Sequence, residues 1–319
     1  MLNAEPKHAP PSGCRPAAGS RAAAGGRGGA AGAAVILVAL AAPAGSQEDL
    51  DVRVKAALQG FPGTAGICAR NLDSGASYEL SADTRVRAAS TIKLAILVEA
   101  YAEVAEGRAR FDDVLVLTEA KKAAGAGVLP ELGEGLKLSL RDAVRLMIVV
   151  SDNTATNLVL DQLGADAVNT RMEALGLHET RCLRKVGGGG ASGASALAAN
   201  EGFGIGVTTP REMVALLEKL ERGEVVSPLA SREMLSLLKR QQYRDGIFRN
   251  MPGAVAATKP GALDHLRSDV GVLYAEGGRV AMAITLAELP EVDYTVDNPG
   301  LLLLSRLSVL LTDGLAAHP

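Results

Sequence analysis

The sequence has 319 residues, of which 48% are hydrophobic and 22% are charged, with a formal net charge of -3. This apolar fraction excludes a globally disordered chain, and the length allows two or three domains or one large domain with two lobes. The chain has no basic excess, no Trp, four Phe and five Tyr. It therefore offers little charge for phosphates and little aromatic surface for bases, which excludes nucleic acid as an expected partner.

The first 45 residues form a separate segment with a single acid, Glu5, and four basic residues. The thirteen residues from Ala30 to Ala42 carry no charge, and Ala42-Pro43-Ala44 is a small-x-small cleavage pattern. A spanning helix needs roughly 20 apolar residues, so the pattern favours a removed signal peptide over a stable membrane anchor. A disordered, uncleaved leader is the alternative. We expect residues 46–319 to form a periplasmic or secreted monomer.

The mature segment begins with a helix and a hairpin. Helical spacing of apolar residues predicts a helix over Gln47–Leu58. Thr64–Arg70 and Ala76–Leu80 are predicted strands around the turn Asp73-Ser74-Gly75. Ser90–Glu106 is apolar on nearly every side, which indicates a helix that is buried all round.

The middle of the chain is predicted to be helical and the end to return to strands. Ser139 with Asp142, and Thr209 with Glu212, form capping boxes that each begin an amphipathic helix. The predicted late elements are strands over Val255–Lys259, Val270–Glu276 and Arg279–Glu288 and a last helix around Leu301–Leu311. Strands at both ends predict an α/β (α+β) fold, in which one antiparallel sheet built from both termini is flanked by helices. Residues 46–89 and 207–319 form the sheet lobe of this prediction, and residues 90–206 form an inserted, mainly helical lobe.

The cysteines and histidines give no sign of a metal site or a cofactor. Cys14 lies in the leader, and Cys68 and Cys182 are far apart in sequence, so two buried free thiols are favoured over a bridge. The histidines form no HExxH motif or pair, and we predict no metal. The histidines are His8, His178, His265 and His318.

Three short motifs carry the chemistry, and the first is Ser90-Thr91-Ile92-Lys93. Residues i and i+3 lie on one helix face, so the Ser90 hydroxyl and the Lys93 amine can meet. A lysine buried in an apolar helix loses its preference for the charged form and can take the proton of a serine nucleophile. By itself the motif is weak, because a serine that caps a helix with an ordinary lysine in the first turn is far more common.

The second motif is Ser151-Asp152-Asn153 after the apolar run 146–150, and the third is Lys259-Pro260-Gly261 at the end of the first late strand. Taken alone, they are a helix-breaking cap and a strand-terminating turn. In this order, SxxK, SDN and Lys-x-Gly resemble the active-site set of class A β-lactamases and penicillin-binding proteins. The resemblance covers essentially the whole mature chain, and it implies a cleft between a sheet lobe and a helical lobe.

The resemblance implies a role for each matching residue. Ser90 is expected to be the nucleophile and Lys93 its activating partner, while Ser151 relays a proton to the leaving nitrogen. Asn153 is expected to bind the amide of the substrate side chain, and Asp152 to order its loop. Lys259 would attract the substrate carboxylate. The backbone N–H groups of Ser90 and Ala262 are expected to form the oxyanion hole, and Gly261 is expected to contact substrate. Arg267 is expected to assist Lys259 with the carboxylate, although a surface arginine explains it equally well.

The sequence departs from the family pattern at two positions, one that binds substrate and one that activates the deacylating water. Pro260 stands where a hydroxyl residue is usual, and its missing N–H predicts an edge strand beside the cleft. Counting from Thr180-Arg181 places Val186 where the family has its deacylating glutamate. In the Gly-rich loop that follows, Glu201 is the only carboxylate between Leu183 and Arg211. Either Glu201 replaces that base, or the acyl-enzyme deacylates slowly.

These departures leave three functional hypotheses. The first is an exported serine acyl-hydrolase that opens β-lactams through a Ser90 acyl-enzyme, with slow deacylation. The second is a D-alanyl-D-alanine peptidase or penicillin-binding protein, and the third is a non-catalytic penicillin-binding sensor module. The expected partner is a β-lactam or a D-Ala-D-Ala-like peptide.

Overall fold

A computed structural model describes residues 44–316 except Pro252. The leader predicted for residues 1–45 lies outside this range apart from Ala44 and Gly45, which begin the first helix. Between residues 44 and 316, no helix is long and apolar enough to cross a membrane. Of the predicted cleavage pattern Ala42-Pro43-Ala44 only Ala44 is described, so the cleavage site stays a prediction.

The main sheet has five antiparallel strands in the order β2-β1-β10-β9-β8, so strands from the two ends of the chain lie side by side as predicted. Smaller sheets have the orders β3-β7-β6 and β4-β5. The strands of the main sheet are β1 (Thr64–Asn71), β2 (Ser77–Leu80), β8 (Val255–Leu263), β9 (Leu266–Ala275) and β10 (Gly278–Ala287). The others are β3 (Val86–Arg87), β4 (Val114–Val116), β5 (Lys137–Ser139), β6 (Arg181–Cys182) and β7 (Gly206–Thr208).

Helices cover both faces of this sheet, and the predicted capping boxes begin two of them. Ser139 Oγ accepts from the N–H of Asp142 at 3.1 Å, and Thr209 Oγ1 accepts from that of Glu212 at 3.2 Å. The helices are α1 (Ala44–Leu58), α2 (Lys93–Ala105), α3 (Leu140–Val149), α4 (Asn153–Leu163), α5 (Ala165–Ala174), α6 (Pro210–Arg222), α7 (Pro228–Leu238) and α8 (Pro299–Leu315).

Two apolar cores lie on opposite faces of the sheet. Successive strand residues point to opposite faces, so Ile67 packs with α1 and α8, whereas Cys68 packs with the core around α2. Cys68 and Cys182 are both buried free thiols, as predicted. The fold class predicted from the sequence is confirmed.

Several predicted element boundaries differ from the structure, and two of them lie within the sequence motifs. Strand β8 does not end at Lys259 but continues through Pro260 and Gly261 to Leu263. Because β8 is an edge strand, a proline without an N–H leaves the ladder intact. Ser90 does not begin the α-helix, since it lies in the 3₁₀ turn Ala89–Ile92, and α2 begins at Lys93.

Candidate active site

Ser90 lies half-buried in a tight turn with an unusual backbone. Ala89, just before it, has a φ of 46°, in the left-handed region that non-glycine residues rarely occupy. Thr91 Oγ1 donates to the carbonyl of Ala88 at 2.6 Å and fixes the turn. Such backbone strain persists only where the surrounding structure enforces it. The turn therefore holds the Ser90 hydroxyl at a defined place on the wall of a cavity.

Strand β8 passes very close to this turn because residue 261 is a glycine. A Cβ on Gly261 would lie 3.1 Å from Thr91 Cγ2 and 3.2 Å from both the Ala88 carbonyl and Ala89 Cβ. Any side chain there would push the strand away from Ser90. The glycine of the Lys-x-Gly motif thus brings the backbone of Ala262 into the same cavity wall as Ser90.

Lys93 reaches from the start of α2 to the second motif. Its Nζ donates to the carbonyl of Ser151 at 2.7 Å and to Asn153 Oδ1 at 2.8 Å, and it lies 3.2 Å from Ser151 Oγ. Lys93 is completely buried. Burial holds the pKa of Lys93 well below its usual range, and the positive charge of Lys259 lowers it further. A neutral amine at this position can accept a proton.

Lys259 approaches Ser151 from the side of strand β8. Its Nζ donates to Ser151 Oγ at 2.9 Å and to the carbonyl of Pro260 at 2.8 Å. Burial lowers the pKa of Lys259 to about 7, and the negative charge of Asp269 opposes this shift. Ser151 Oγ can therefore accept from Lys259 while it donates to a neutral Lys93, which links the two amines by one hydroxyl.

Asp152 holds the loop of the second motif and does not line the cavity that contains Ser90. Its Oδ1 accepts from the N–H of Ala155 and caps α4, while Oδ2 accepts from the N–H groups of Val128 and Leu129. Its neighbour Ser151 has a φ of 53°. These contacts agree with the predicted ordering role of Asp152.

Asn153 presents one amide N–H to the cavity. Its Oδ1 accepts from Lys93, and one N–H of Nδ2 donates to the carbonyl of Ala124 at 2.8 Å. The lysine therefore fixes which end of the amide is the donor, and the second N–H of Nδ2 remains for a ligand. This geometry suits recognition of a carbonyl group.

One cavity of about 610 Å³ collects most of the predicted residues. Lys93 and Lys259 lie beneath its surface, and both contact Ser151. The predicted residues that line it are Ser90, Ser151, Asn153, Gly261, Ala262 and Arg267. Cysteine, histidine, aspartate and glutamate side chains form no group of three able to hold a metal ion within residues 44–316.

Arg267 lines the cavity, but its guanidinium is turned to the backbone. It donates to the carbonyls of Leu263, Leu266 and Asp293, and it stacks on the ring of Tyr294 with 4.7 Å between Cζ and the ring centroid. Arg267 is only 2% exposed. The carboxylate contact predicted for it stays a prediction, whereas its anchoring contacts are direct.

The two positions singled out for deacylation lie apart from this cavity wall. The backbone of Val186 is clamped to α4, since its N–H donates to Asn157 Oδ1 at 2.9 Å and its carbonyl accepts from Asn157 Nδ2 at 3.0 Å. Glu201 is exposed, directly after the 3₁₀ turn Ala198–Asn200. Neither side chain lines the cavity that contains Ser90.

Sequence reasoning missed Asp269, the only acid in strand β9. Asp269 is 2% exposed and pairs in register with Pro260, next to Lys259. Its Oδ2 accepts from the N–H of Ile247 at 3.0 Å, and Oδ1 has no hydrogen-bond partner in the described part of the chain. Burial raises the pKa of Asp269 to about 7. A single acidic residue within a largely apolar strand was the signal that could have identified it.

Known proteins resemble the chain over nearly all of the described range. The sequence model of the Beta-lactamase enzyme family matches residues 49–315. A β-lactamase from Sphaerobacter thermophilus DSM 20745 is 31% identical, with a TM-score of 0.73 over 83% of this chain and 96% of that chain. Among curated protein sequences, none matches.

A penicillin-binding protein is similar to the same extent. The structure of PBP-A is 28% identical, with a TM-score of 0.73 over 83% of this chain and 95% of that chain. A variant of PBP-A in an acyl-enzyme complex with penicillin G has the same identity and TM-score over 83% of this chain and 96% of that chain. The matches extend over the whole fold that carries the cavity.

Proposed function

The chain belongs to the β-lactamase enzyme family, and from this premise we propose that it is an exported, class A-like serine acyl-hydrolase that opens β-lactams through an acyl-enzyme on Ser90. One observation carries the proposal. The amines of Lys93 and Lys259 both contact Ser151 Oγ, at 3.2 and 2.9 Å, in the wall of the cavity that Ser90 lines. A neutral amine, a relay hydroxyl and a charged amine beside a serine are the groups that acyl transfer needs.

In the proposed acylation, Ser90 Oγ attacks the lactam carbonyl while Lys93 accepts its proton. The C–N bond of the lactam then breaks, and the proton reaches the ring nitrogen through Ser151. The N–H groups of Ser90 and Ala262 stabilise the negative charge on the carbonyl oxygen, and losing one such donor costs about 3 kcal/mol of transition-state stabilisation. Asn153 binds the side-chain amide, and Lys259 supplies positive potential for the substrate carboxylate.

Deacylation is proposed to be slow because of the residue at position 186. The ester on Ser90 is stable at neutral pH unless a base within about 3 Å of a water takes its proton. A valine side chain cannot accept a proton, and the two hydrogen bonds to Asn157 hold this residue in place. Glu201 is exposed and distinct from the cavity wall, which favours an accumulating adduct over replacement of the base.

A second candidate is a D-alanyl-D-alanine peptidase or penicillin-binding protein, which uses the same serine and lysine groups. Its support is the similarity to PBP-A, which equals the similarity to the Sphaerobacter β-lactamase in TM-score. A non-catalytic penicillin-binding module is the third candidate. Export is proposed from the composition of residues 1–45, whose apolar run and small-residue pattern are those of a signal peptide.

Nitrocefin with burst analysis separates the three candidates. Turnover that continues after a burst supports the hydrolase, a burst equal to the enzyme concentration without further turnover supports the penicillin-binding protein, and no acylation supports the binding module. Intact-mass spectrometry should show protein plus one β-lactam during steady state. The variant Ser90→Ala should abolish labelling by a fluorescent penicillin, and labelling that survives would place the nucleophile elsewhere.

The slow step is tested by restoring a base. Val186→Glu is expected to shorten the lifetime of the adduct by about 10²–10⁴-fold, the usual contribution of a general base. Val186→Gln is the matched control, since it has nearly the same size and cannot take the proton. Glu201→Gln should leave the lifetime unchanged. A lengthened lifetime in Glu201→Gln would instead identify Glu201 as the replacement base.

A further inference from the structure

The cavity extends well beyond the residues proposed for catalysis. Past Pro260 and Ala262, its wall is formed by Leu263 of β8, by the loop before β8, by the segment between β10 and α8, and by the first turn of α8. The apolar side chains of this second half are Tyr243, Leu263, Tyr294, Val296 and Leu301.

Three of these side chains are large, apolar and open to solvent. Tyr294 is 63% exposed, Val296 52% and Tyr243 43%. Exposed apolar groups that stand singly on a surface need no explanation, but a cluster at the mouth of a concave site marks a place where a ligand is bound. Tyr243 and Tyr294 come from different loops and lie 51 residues apart in sequence, so local sequence does not account for the cluster.

The segment that carries Tyr294 is held firmly. The Arg267 guanidinium stacks on the Tyr294 ring and donates to the carbonyl of Asp293. The Tyr294 hydroxyl donates to Asp264 Oδ1 at 2.9 Å. The Arg249 guanidinium donates to the carbonyl of Val296. A wall held at both sides presents a preformed surface, so a ligand does not have to order it on binding.

This half of the cavity is not built for an anion. Arg267 is the only basic residue that lines the cavity of residues 44–316, and its guanidinium is engaged by three carbonyls and a ring. Lys259 is fully buried beneath the wall and bonded to Ser151 and Pro260. The one lining acid, Asp245, disfavours a second carboxylate here.

The proposed reaction fixes which part of the substrate faces this wall. By the proposed roles, the acyl side chain lies against Asn153, and the leaving-group side lies against Ser151 and Lys259. Pro260 follows Lys259 along β8, and the cavity wall continues to Leu263 and to Arg267, which pairs with Ala262.

We propose that Tyr243, Tyr294 and Val296 form an apolar subsite that binds an aromatic ring carried by the leaving-group side of the substrate. The inference rests on the proposed acyl transfer and specifies its substrate class, namely acyl compounds whose leaving group bears an uncharged aromatic ring. Arg267 is then a positioning residue that holds the Tyr294 ring in the wall.

Two thioesters of N-phenylacetylglycine, one of benzyl mercaptan and one of ethanethiol, test the subsite with the acyl group held constant. Ser90 Oγ forms the new C–O bond, the C–S bond breaks, and the thiol leaves with the serine proton that Lys93 accepted and Ser151 returned. Water later hydrolyses the ester to release N-phenylacetylglycine. The released thiol is measured directly, and both substrates leave the same acyl group on Ser90.

The subsite therefore acts only on acylation. The wild-type protein should show a higher kcat/KM for the benzyl thioester. Tyr294→Ala should lower that value by about tenfold and lower the value for the ethyl thioester by less than about twofold, as expected for one lost aromatic contact. Tyr294→Phe, which keeps the ring, should retain most of the preference, and Tyr243→Ala should repeat the selective loss from the other loop. Val292→Ala, an exposed position of the same segment outside the cavity wall, is the matched control.

Each result is decisive. Equal losses for both thioesters in Tyr294→Ala and in Tyr243→Ala, or no loss, would overturn the subsite, and so would the absence of any wild-type preference. If neither thioester acylates Ser90 although a fluorescent penicillin does, the subsite fails and the proposed function stands. If penicillin labelling also fails, the proposed function itself is wrong. The lifetime of the common acyl-enzyme should be identical from both thioesters in every variant.

Discussion

Replacement of Asp269 by asparagine should weaken acylation without any contact between this residue and substrate. Asp269 is buried and pairs in register with Pro260, the residue that follows Lys259. Its negative charge raises the pKa of Lys259, whereas burial lowers it. Asn has the same shape, and its amide oxygen can still accept from the N–H of Ile247. The change therefore removes a charge and keeps the packing.

The magnitude follows from the pKa of Lys259, which is about 7. At pH 7 about half of the Lys259 amines are therefore charged, and loss of the Asp269 charge lowers this pKa and leaves fewer of them charged. Acylation by a carboxylate-bearing β-lactam should then be slower at pH 7 than in the wild-type protein. Because the charge on Lys259 also lowers the pKa of Lys93, its loss lets Lys93 protonate at higher pH.

The pH profile of kcat/KM for acylation is the measurement, since it reports the groups of the free enzyme. In the wild-type protein the rate should rise with pH as Lys93 loses its proton and fall near pH 7 as Lys259 loses its own. In Asp269→Asn the falling limb should move to lower pH and the rising limb to higher pH, so the pH range of high activity becomes narrower. Glu276→Gln, an exposed change of equal charge in the β9–β10 turn, should not move either limb. An unshifted falling limb in Asp269→Asn would refute the coupling.

Lys93→Arg should slow acylation by about 10²–10⁴-fold, because a guanidinium stays charged and cannot accept the proton; near-normal labelling by fluorescent penicillin would make Lys93 structural. Gly246→Ala should lower the free energy of unfolding by about 1–3 kcal/mol, since its Cβ would lie 2.2 Å from Asp269 Oδ2. Gly133→Ala, which meets no atom within 4 Å, is the control in the same urea titration. Asp152→Ala should cost at least about 2 kcal/mol in that titration, because it leaves three backbone N–H groups without their acceptor.

The sheet could be predicted from local patterns because each hairpin has its own turn. The turns Asp73-Ser74-Gly75 and Gly277-Gly278 interrupt the apolar alternation. Each turn joins two antiparallel strands, β1 to β2 and β9 to β10. The end of β8 could not be read in this way. A proline after Lys259 is locally a strand terminator, and only the position of β8 at the sheet edge makes it compatible with nine continuous strand residues.

The motif residues of the site could be predicted, but the groups that support them could not. Ser90, Lys93 and Ser151 carry a recognisable spacing, whereas Asp269 acts on Lys259 through strand pairing that no spacing reveals. Arg267 was expected to face a substrate carboxylate. Its contact with Asp293, 26 residues later in sequence, depends on how the segment after β10 returns to the sheet, and that path is set by tertiary packing.

The hydrogen bonds around Ser151 contribute differently to acylation and to deacylation. During acylation the proton moves from Ser90 to Lys93 and out through Ser151, and both contacts of that hydroxyl are already in place. Once the C–N bond has broken and the ring nitrogen, which stays attached to the acyl group, has been protonated, the same path has no further proton to deliver, and the incoming water needs a base of its own. Lys93 is the remaining neutral amine, but its Nζ is engaged by Ser151 and Asn153. The return of the proton through Ser151 is thus served by preformed contacts, whereas the incoming water has no base in place, and we expect the acyl-enzyme to accumulate for this reason.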